Sequence, residues 1–305
     1  LARRRPGAFP PAFAALVLAQ ALLAAPFALH PTTAGGPRPP SPPAPPPGAR
    51  LHTPELRMYT PEEAAAFGPG FNAEAALGFP GYNVLVRVDN VDVYSGLVSR
   101  RFEAVWGALE ANPAGWRRYG VTHVVLPAGP LGPKGREAAR GGALVGGDAA
   151  VQVWAVPHRP WASFAPAARA VAGPEQALHF TGAAIRDGRD EVTVEAAEAP
   201  ATAPGRVLTV ARGAEAIAVE AEAAGPALLV VNDAWWPGWV AELDGAPAPI
   251  LPADGLVRAV PFPAGRHRLV MRYEPPEVRT GLLLSGLGLV LLGGLAVSER
   301  RGGRA

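Results

Sequence analysis

The strongest constraint on the fold lies near the carboxyl end of the chain, where strand-like segments lead directly into a long uncharged segment. Between Arg279 and Glu299 there are 19 residues without a charged side chain. A helix of this length is about 28 Å long, which matches a bilayer hydrocarbon core of about 30 Å. We therefore predict a transmembrane helix over 278–298 and a cytoplasmic tail over 299–305, directly after a compact β domain.

The amino-terminal end contains a second uncharged segment. Residues 6–29 carry no charge and follow the three basic residues Arg3–Arg5. We interpret residues 1–30 as a transmembrane helix, although a secretory signal peptide has the same basic start and apolar centre. Both interpretations place the residues that follow outside the cytoplasm.

The distribution of charge predicts how the chain is oriented in the cell membrane. Residues 31–276 carry 21 basic and 24 acidic residues, whereas the two ends together carry 7 basic and 2 acidic residues. Since basic residues next to membrane helices are enriched on the cytoplasmic side, we expect both ends in the cytoplasm and the bulk of the chain outside it. The middle of the chain is slightly acidic, which excludes nucleic acid as an expected partner.

The composition indicates a linker and argues against disulfides and metal sites. Residues 31–48 contain nine prolines, and we predict a semi-rigid linker over 31–50. The chain contains no cysteine, which excludes disulfides and thiolate metal sites. Its six histidines show no spacing typical of a metal site. We therefore predict no metal centre and no cofactor in this chain.

Residues 51–148 show the pattern of a small α/β region. An amphipathic helix is predicted over 97–109, and a second short helix is predicted to end at Gly120. An apolar strand is predicted over 121–126, and the glycine-rich residues 128–148 are predicted to form a loop.

From residue 149 onward the pattern changes to short strands. Several segments alternate apolar and polar side chains with a period of two, as a half-buried antiparallel sheet requires. They predict a β-sandwich over 149–276, which we expect to fold on its own. The predicted fold class is therefore an α+β ectodomain dominated by a jelly-roll-like antiparallel β-sandwich and flanked by transmembrane helices. The candidate strands are 151–156, 191–196, 206–211, 216–222, 227–232, 239–243, 256–261 and 267–273.

A group of tryptophans marks the candidate binding site. Trp235, Trp236 and Trp239 flank a Pro-Gly turn, and Asn232 and Asp233 precede them. Aromatic rings stack on the C–H faces of sugars, and amides and carboxylates bind hydroxyl groups, so these five residues are candidates for contacting a glycan or a lipid headgroup. The competing interpretation is that the rings pack the sandwich or anchor it at the membrane interface.

The orientation of these side chains can also be predicted. Consecutive residues point in opposite directions in an extended chain, so we expect only one of Trp235 and Trp236 to be exposed. By the same alternation, we expect Trp239 to point inward and Val240 outward. The pairs that begin at Asp244 and Asp254 are both Asp-Gly, which predicts turns with positive φ rather than ligands.

The predicted carboxyl-terminal helix carries small residues at positions that share one face. These residues are Gly281, Ser285 and Gly288. Small side chains let membrane helices approach closely, so we predict that this face packs against another membrane helix. The alternative is that these glycines only reflect a glycine-rich chain.

Three motifs near the carboxyl end carry a resemblance to a known family. They are Pro-Gly-Trp at 237–239, Asp-Gly at 244–245, and Pro-Ala-Gly at 263–265 followed by His267. In this order they resemble the end of YfhO-like bacterial membrane proteins. The resemblance extends more loosely upstream, to residues 81–83, 94–101 and 119–125.

The resemblance implies a membrane glycosyltransferase of the GT-C type, which uses a polyprenyl-phosphate sugar to modify a cell-envelope glycan or polymer. The multi-span catalytic region of that family is missing from this sequence, so the chain is expected to be a carboxyl-terminal accessory portion that is inactive alone. Its expected partners are the lipid bilayer, a polyprenyl-linked sugar or an envelope glycan, and other membrane helices. The alternative is a non-catalytic, membrane-anchored module that binds a carbohydrate or a protein.

Overall fold

The computed structural model describes residues 49–54, 89–90, 99–147, 151–213, 215–277, 280–281, 283–286 and 288. Within this part of the chain, three β-sheets are arranged around two hydrophobic cores. One sheet lies in the middle and contributes side chains to both cores.

Three α-helices and sixteen strands have their bounds within the described residues. The helices are α1 (Arg100–Leu109), α2 (Pro133–Ala139) and α3 (Pro174–Arg186), and a 3-10 helix covers Pro113–Tyr119. The strands before α3 are β1 (Arg50–His52), β2 (Asp89–Asn90), β3 (His123–Pro127), β4 (Ala143–Gly147), β5 (Val151–Ala155), β6 (Ala162–Phe164) and β7 (Ala167–Val171). The strands after α3 are β8 (Glu191–Glu195), β9 (Gly205–Arg212), β10 (Ala216–Ala223), β11 (Ala227–Ala234), β12 (Trp239–Leu243), β13 (Ala246–Ala248), β14 (Leu251–Ala253), β15 (Val257–Phe262) and β16 (Gly265–Tyr273).

The first sheet is mixed and has the strand order β2-β1-β3-β5-β4. β1 pairs in parallel with β2 and β3, while β5 pairs antiparallel with β3 and β4. The sequence places β5 at the start of the sandwich, whereas its hydrogen bonds extend the first sheet to residue 155. The division of the chain at 148–149 stays a prediction.

The helix predicted over 97–109 ends at Leu109 as expected but begins at Arg100, because Ser99 is its extended N-cap. The Ser99 hydroxyl accepts a hydrogen bond from the Phe102 N–H at 3.0 Å and caps α1. Val105 and Leu109 form the buried face of α1. Gly120 has a φ of 78° and ends the 3-10 helix, because glycine adopts this conformation without steric cost.

The β-sandwich is confirmed in its coarse form. A six-stranded sheet, β6-β11-β15-β14-β8-β7, packs against a five-stranded sheet, β13-β12-β16-β10-β9. The core between them includes Val219, Phe262 and Met271. Among the described strands of these two sheets, only β7 and β8 pair in parallel, so the predicted antiparallel pairing holds for the rest.

Strand β11 lies in the middle of the molecule. Leu229 and Val231 belong to the core between the two sandwich sheets, whereas Leu228 and Val230 belong to a core shared with α1, the 3-10 helix and the first sheet. A continuous apolar segment is typical of a strand that is covered on both faces. The sandwich and the region before it therefore share hydrophobic contacts.

The structure also contains elements that the sequence does not indicate. α2 and β4 lie within the predicted loop 128–148, and α3 lies where only strands are predicted. The buried face of α3 includes the small residues Ala177 and Ala184. Small side chains give only a weak hydrophobic period, which explains why this helix is not evident from the sequence.

The predicted membrane helices, the proline-rich linker and the cytoplasmic tail lie largely outside the described residues. This is true of the segments 1–30, 31–48 and 299–305, and of most of 278–298. The described residues between 276 and 288 are helical. No helix formed by the described residues combines the length and the apolar character that crossing a bilayer requires.

Candidate functional site

The connection between β11 and β12 positions the three tryptophans. Gly238 has a φ of 96°, and a Cβ at this position would lie 3.0 Å from Pro275. Glycine therefore suits both the backbone conformation and the close approach. The Gly238 carbonyl accepts a hydrogen bond from the Glu274 N–H at 2.7 Å, which ties the turn to the chain that leaves β16.

The three tryptophans line one surface groove, which we call the tryptophan groove. Its volume is about 360 Å³. Trp236 is 48% exposed, while Trp235 and Trp239 are half-buried, which confirms that only one of the consecutive pair is exposed. The other lining residues are mostly apolar and come from the turn, β12 and the chain around β13: Pro237, Gly238, Val240, Ala241, Pro247, Ala248 and Ile250.

Trp239 joins the groove to the sandwich core. Its ring packs against that core, and the neighbouring Val240 is 44% exposed, as the alternation predicts. The Arg258 guanidinium lies 3.8 Å from the centroid of the Trp239 ring, which is a cation–π contact. Burial lowers the pKa of Arg258, and the Asp233 carboxylate, 3.4 Å from Nη2, opposes that shift.

Trp235 is held by a residue from the region before the sandwich. The Arg101 guanidinium, on α1, lies 4.8 Å from the centroid of the Trp235 ring. Arg101 also pairs with both carboxylate oxygens of Glu195 at the end of β8, with an Nη2–Oε2 distance of 2.8 Å. Because a bidentate pair fixes the guanidinium plane, it also fixes the position of the ring beneath.

The two polar members of the predicted site lie outside the groove lining. Asn232 is fully buried, and its Nδ2 donates to the Pro160 carbonyl at 2.8 Å. The backbone carbonyl of Asn232 accepts from Arg50 Nη1 at 2.6 Å. Asp233 is half-buried and faces Arg258. The structure thus brings the tryptophans together but places Asn232 in the interior, because β11 is covered on both faces.

The predicted helix-packing face is only partly described. Gly281 and Ser285 are exposed, and Gly288 is half-buried. A Cβ at Gly281 or Gly288 would meet no described atom within 4 Å. The partner of this face stays a prediction.

The structure also reveals a buried ionic cluster around Asp254. The Asp254 carboxylate accepts hydrogen bonds from Arg118 Nε at 2.8 Å, from Arg159 Nη1 at 2.7 Å and from the Thr193 N–H at 3.1 Å. The sequence predicts only a turn here, and the φ of 47° confirms that turn. Its arginine partners are distant along the chain, so no local pattern indicates the cluster.

The charge state of this cluster follows from two opposing effects. Burial alone would raise the pKa of Asp254, but the charges of Arg118 and Arg159 and their hydrogen bonds outweigh it and hold the pKa below its ordinary value. Burial together with the Asp254 charge raises the pKa of the Tyr119 hydroxyl, which donates to the Asp254 carbonyl at 2.8 Å. Asp254 is therefore ionised at neutral pH, whereas the Tyr119 hydroxyl stays protonated.

Comparison with known proteins does not connect this chain to a relative. No family model matches the chain, and no curated protein or solved structure matches it. Within the described ranges, no group of three histidines or carboxylates is placed to hold a metal ion. The resemblance to YfhO-like proteins stays a prediction.

Proposed function

We propose that this chain is the extracytoplasmic, carboxyl-terminal portion of a YfhO-like membrane protein that modifies a glycan or polymer of the bacterial cell envelope. In this proposal the tryptophan groove contacts the glycan or a polyprenyl-linked sugar. Membrane helices at 1–30 and 278–298 flank the ectodomain, and its sandwich belongs to the jelly-roll-like class. The chain acts as an accessory part, and the chemistry is performed by membrane-embedded residues outside this sequence.

The observation that carries the proposal is the geometry of the groove. It offers one exposed aromatic ring, that of Trp236, beside two rings that Arg101 and Arg258 hold in place. Saccharides present apolar C–H faces that favour such rings, and tryptophan combines a large apolar area with a polar N–H. Rings that are already fixed lose little conformational entropy when a ligand binds.

The exposed helical residues near the carboxyl end support the membrane location. Leu283 and Leu284 are 76% and 64% exposed among the described residues. Large apolar side chains are unfavourable in water and favourable in a lipid environment. The groove would then lie on a domain that is held close to a membrane surface, where lipid-linked sugars are found.

The first prediction concerns Trp236. We expect Trp236→Ala to weaken binding of an envelope oligosaccharide or a polyprenyl-phosphate sugar by roughly five- to tenfold, because one stacking contact is lost. Isothermal titration calorimetry on the full chain in lipid nanodiscs measures the affinity. Leu144→Ala is a suitable control, since Leu144 is 58% exposed on β4, away from the groove lining. Equal affinities for Trp236→Ala and the unaltered chain would contradict the proposal.

The same groove also fits the alternative function, a membrane-anchored module that binds carbohydrate without catalysis. The two functions can be distinguished by ligand preference, because only a portion of a transferase has reason to prefer a lipid-linked donor over the free sugar. Tighter binding of the polyprenyl-phosphate sugar than of the free sugar supports the transferase portion. Equal binding of both ligands, with the same loss in Trp236→Ala, supports the binding module.

A further inference from the structure

A larger cleft lies between the 3-10 helix, the segment before β6 and the end of α3. Its volume is about 580 Å³, and none of its lining residues belongs to the tryptophan groove. Its lining contains four arginines and one carboxylate, which are Arg117, Arg118, Arg159, Arg189 and Asp190. Three of the arginines already form ion pairs, Arg118 and Arg159 with Asp254 and Arg189 with Glu191.

Two of these arginines are fixed by the buried ionic cluster. The side chains of Arg118 and Arg159 are only 7% and 8% exposed, and both donate to the Asp254 carboxylate. Arg118 also donates to the carbonyls of Arg189 and Glu191. Guanidinium groups that are held in place before a ligand arrives lose little freedom on binding.

Arg117 supplies charge that the cluster does not neutralise. Its Nη2 donates to the backbone carbonyls of Ala138, at 2.8 Å, and Arg140. No carboxylate of the described ranges forms an ion pair with Arg117, and the nearby Glu137 is itself paired with Arg140. The lining therefore retains a cation that an anionic ligand can neutralise.

A carboxylate at the cleft competes for one of these arginines. The Asp190 side chain is 62% exposed, forms a hydrogen bond with Arg159 and lies 4.0 Å from Arg118 Nη1. An anion that enters the cleft would contend with Asp190 for Arg159. Beside these charged groups, the lining includes the apolar side chains of Pro160 and Ile185, which suit an organic group.

We propose that this cleft binds the phosphate group of a small organic phosphate ester, with Arg117 and Arg159 as the contacting residues. A phosphate offers three acceptor oxygens and can therefore accept from two arginines that line the same cleft, whereas a carboxylate suits a single bidentate pair. Arg118 and Asp254 position Arg159. The inference goes beyond the tryptophan groove and does not depend on it.

Phenyl phosphate is a suitable probe, titrated into the full chain in nanodiscs at low ionic strength. We expect Arg117→Gln to weaken binding about tenfold or more, because a charged donor is lost. Asp190→Asn should tighten binding roughly two- to fivefold, because the competing carboxylate, whose own side chain is largely exposed, is removed. Arg272→Gln removes the same charge from an exposed pair with Glu242 and should leave the affinity unchanged.

Several results of these titrations would overturn the inference. No binding of phenyl phosphate at millimolar concentration overturns it, as does an affinity that Arg117→Gln leaves unchanged or that Asp190→Asn weakens. Benzoate binding as tight as phenyl phosphate overturns the phosphate assignment. Circular dichroism checks the folding of each variant, and the exposed Asp190 provides a test if Arg117→Gln does not fold. Saccharide binding at the tryptophan groove is expected to be the same in all three variants, which separates this inference from the proposed function.

Discussion

Asp254 combines a turn conformation with a fully buried charge. Its φ is 47°, and its carboxylate lies between Arg118 and Arg159. Removing one member of a buried ionic cluster leaves the others without compensation, which costs more than losing an exposed pair. The sequence at Asp254-Gly255 indicates the turn and gives no sign of the charge that it places in the interior.

We expect Asp254→Asn to lower the free energy of unfolding by about 3–5 kcal/mol at pH 7. Asp187→Asn is the control, because Asp187 is 57% exposed in its pair with Arg189 and should cost less than about 1 kcal/mol. Since the folded pKa of Asp254 lies below 3.8, its contribution is complete above about pH 4 and is lost as the pH falls through the folded pKa. Equal urea midpoints for the two variants would contradict this role.

The candidate site could be predicted from the sequence only where its members are close along the chain. Trp235, Trp236 and Trp239 lie within five consecutive residues, so their grouping follows from local spacing. Arg101 and Arg258, which stack on two of these rings, come from α1 and β15. Their contribution depends on tertiary packing, which periodicity does not encode.

At the level of elements, two turns of the sandwich are joined by one histidine. His267 Nδ1 lies 2.6 Å from Asp244 Oδ2 in the turn between β12 and β13, and Nε2 lies 2.9 Å from the Ala264 carbonyl between β15 and β16. Both partners are acceptors, so both bonds need the protonated ring. The hydrogen bond to Asp244 and then that to Ala264 raise the pKa of His267 above 6.5.

We expect Asp244→Asn to lower the pKa of His267 toward 6.5, measured by NMR titration of its ring protons. Asparagine tolerates the φ of 51° at this position and removes only the charge. Because the folded pKa is raised, the pair stabilises fully below pH 6.5, and this contribution is lost as the pH rises through the folded pKa. The melting temperatures of the variant and the unaltered chain should therefore differ more at about pH 6 than at about pH 9. A pKa of His267 that does not change in the variant would contradict the pairing.

The strands were predictable where alternation is strong. All eight strands predicted between 151 and 273 are confirmed, with bounds within two residues at each end. Strands β4, β6, β7 and β14, which the pattern misses, have three to five residues and are rich in alanine or interrupted by glycine or proline. Such segments have little intrinsic strand preference and become strands because a neighbouring strand offers hydrogen bonds. The order of strands in each sheet also depends on non-local pairing.

For the whole molecule, the shared core is the feature that the sequence pattern does not indicate. One core contains Trp116 from the 3-10 helix together with Val192 and Leu228 from the sandwich. The ion pair between Arg118 and Asp254 crosses the same division. The change of pattern near residue 149 predicts a sandwich that folds on its own. The structure leads to a different expectation, because one face of its middle sheet is covered by the preceding region.

We therefore expect a fragment over 151–277 to unfold at a lower urea concentration than a fragment over 49–277. Leu228 and Leu229 are both fully buried but face different cores. In the longer fragment, replacing either leucine with alanine should cost about 2–5 kcal/mol. In the shorter fragment, Leu228→Ala should lower the free energy of unfolding by at least about 1 kcal/mol less than it does in the longer fragment, because Leu228 has lost neighbours there. Leu229→Ala should lower it by the same amount in both fragments. If both substitutions cost the same in the two fragments, the contacts of Leu228 with the preceding region add nothing to stability, and the sandwich folds as an independent unit.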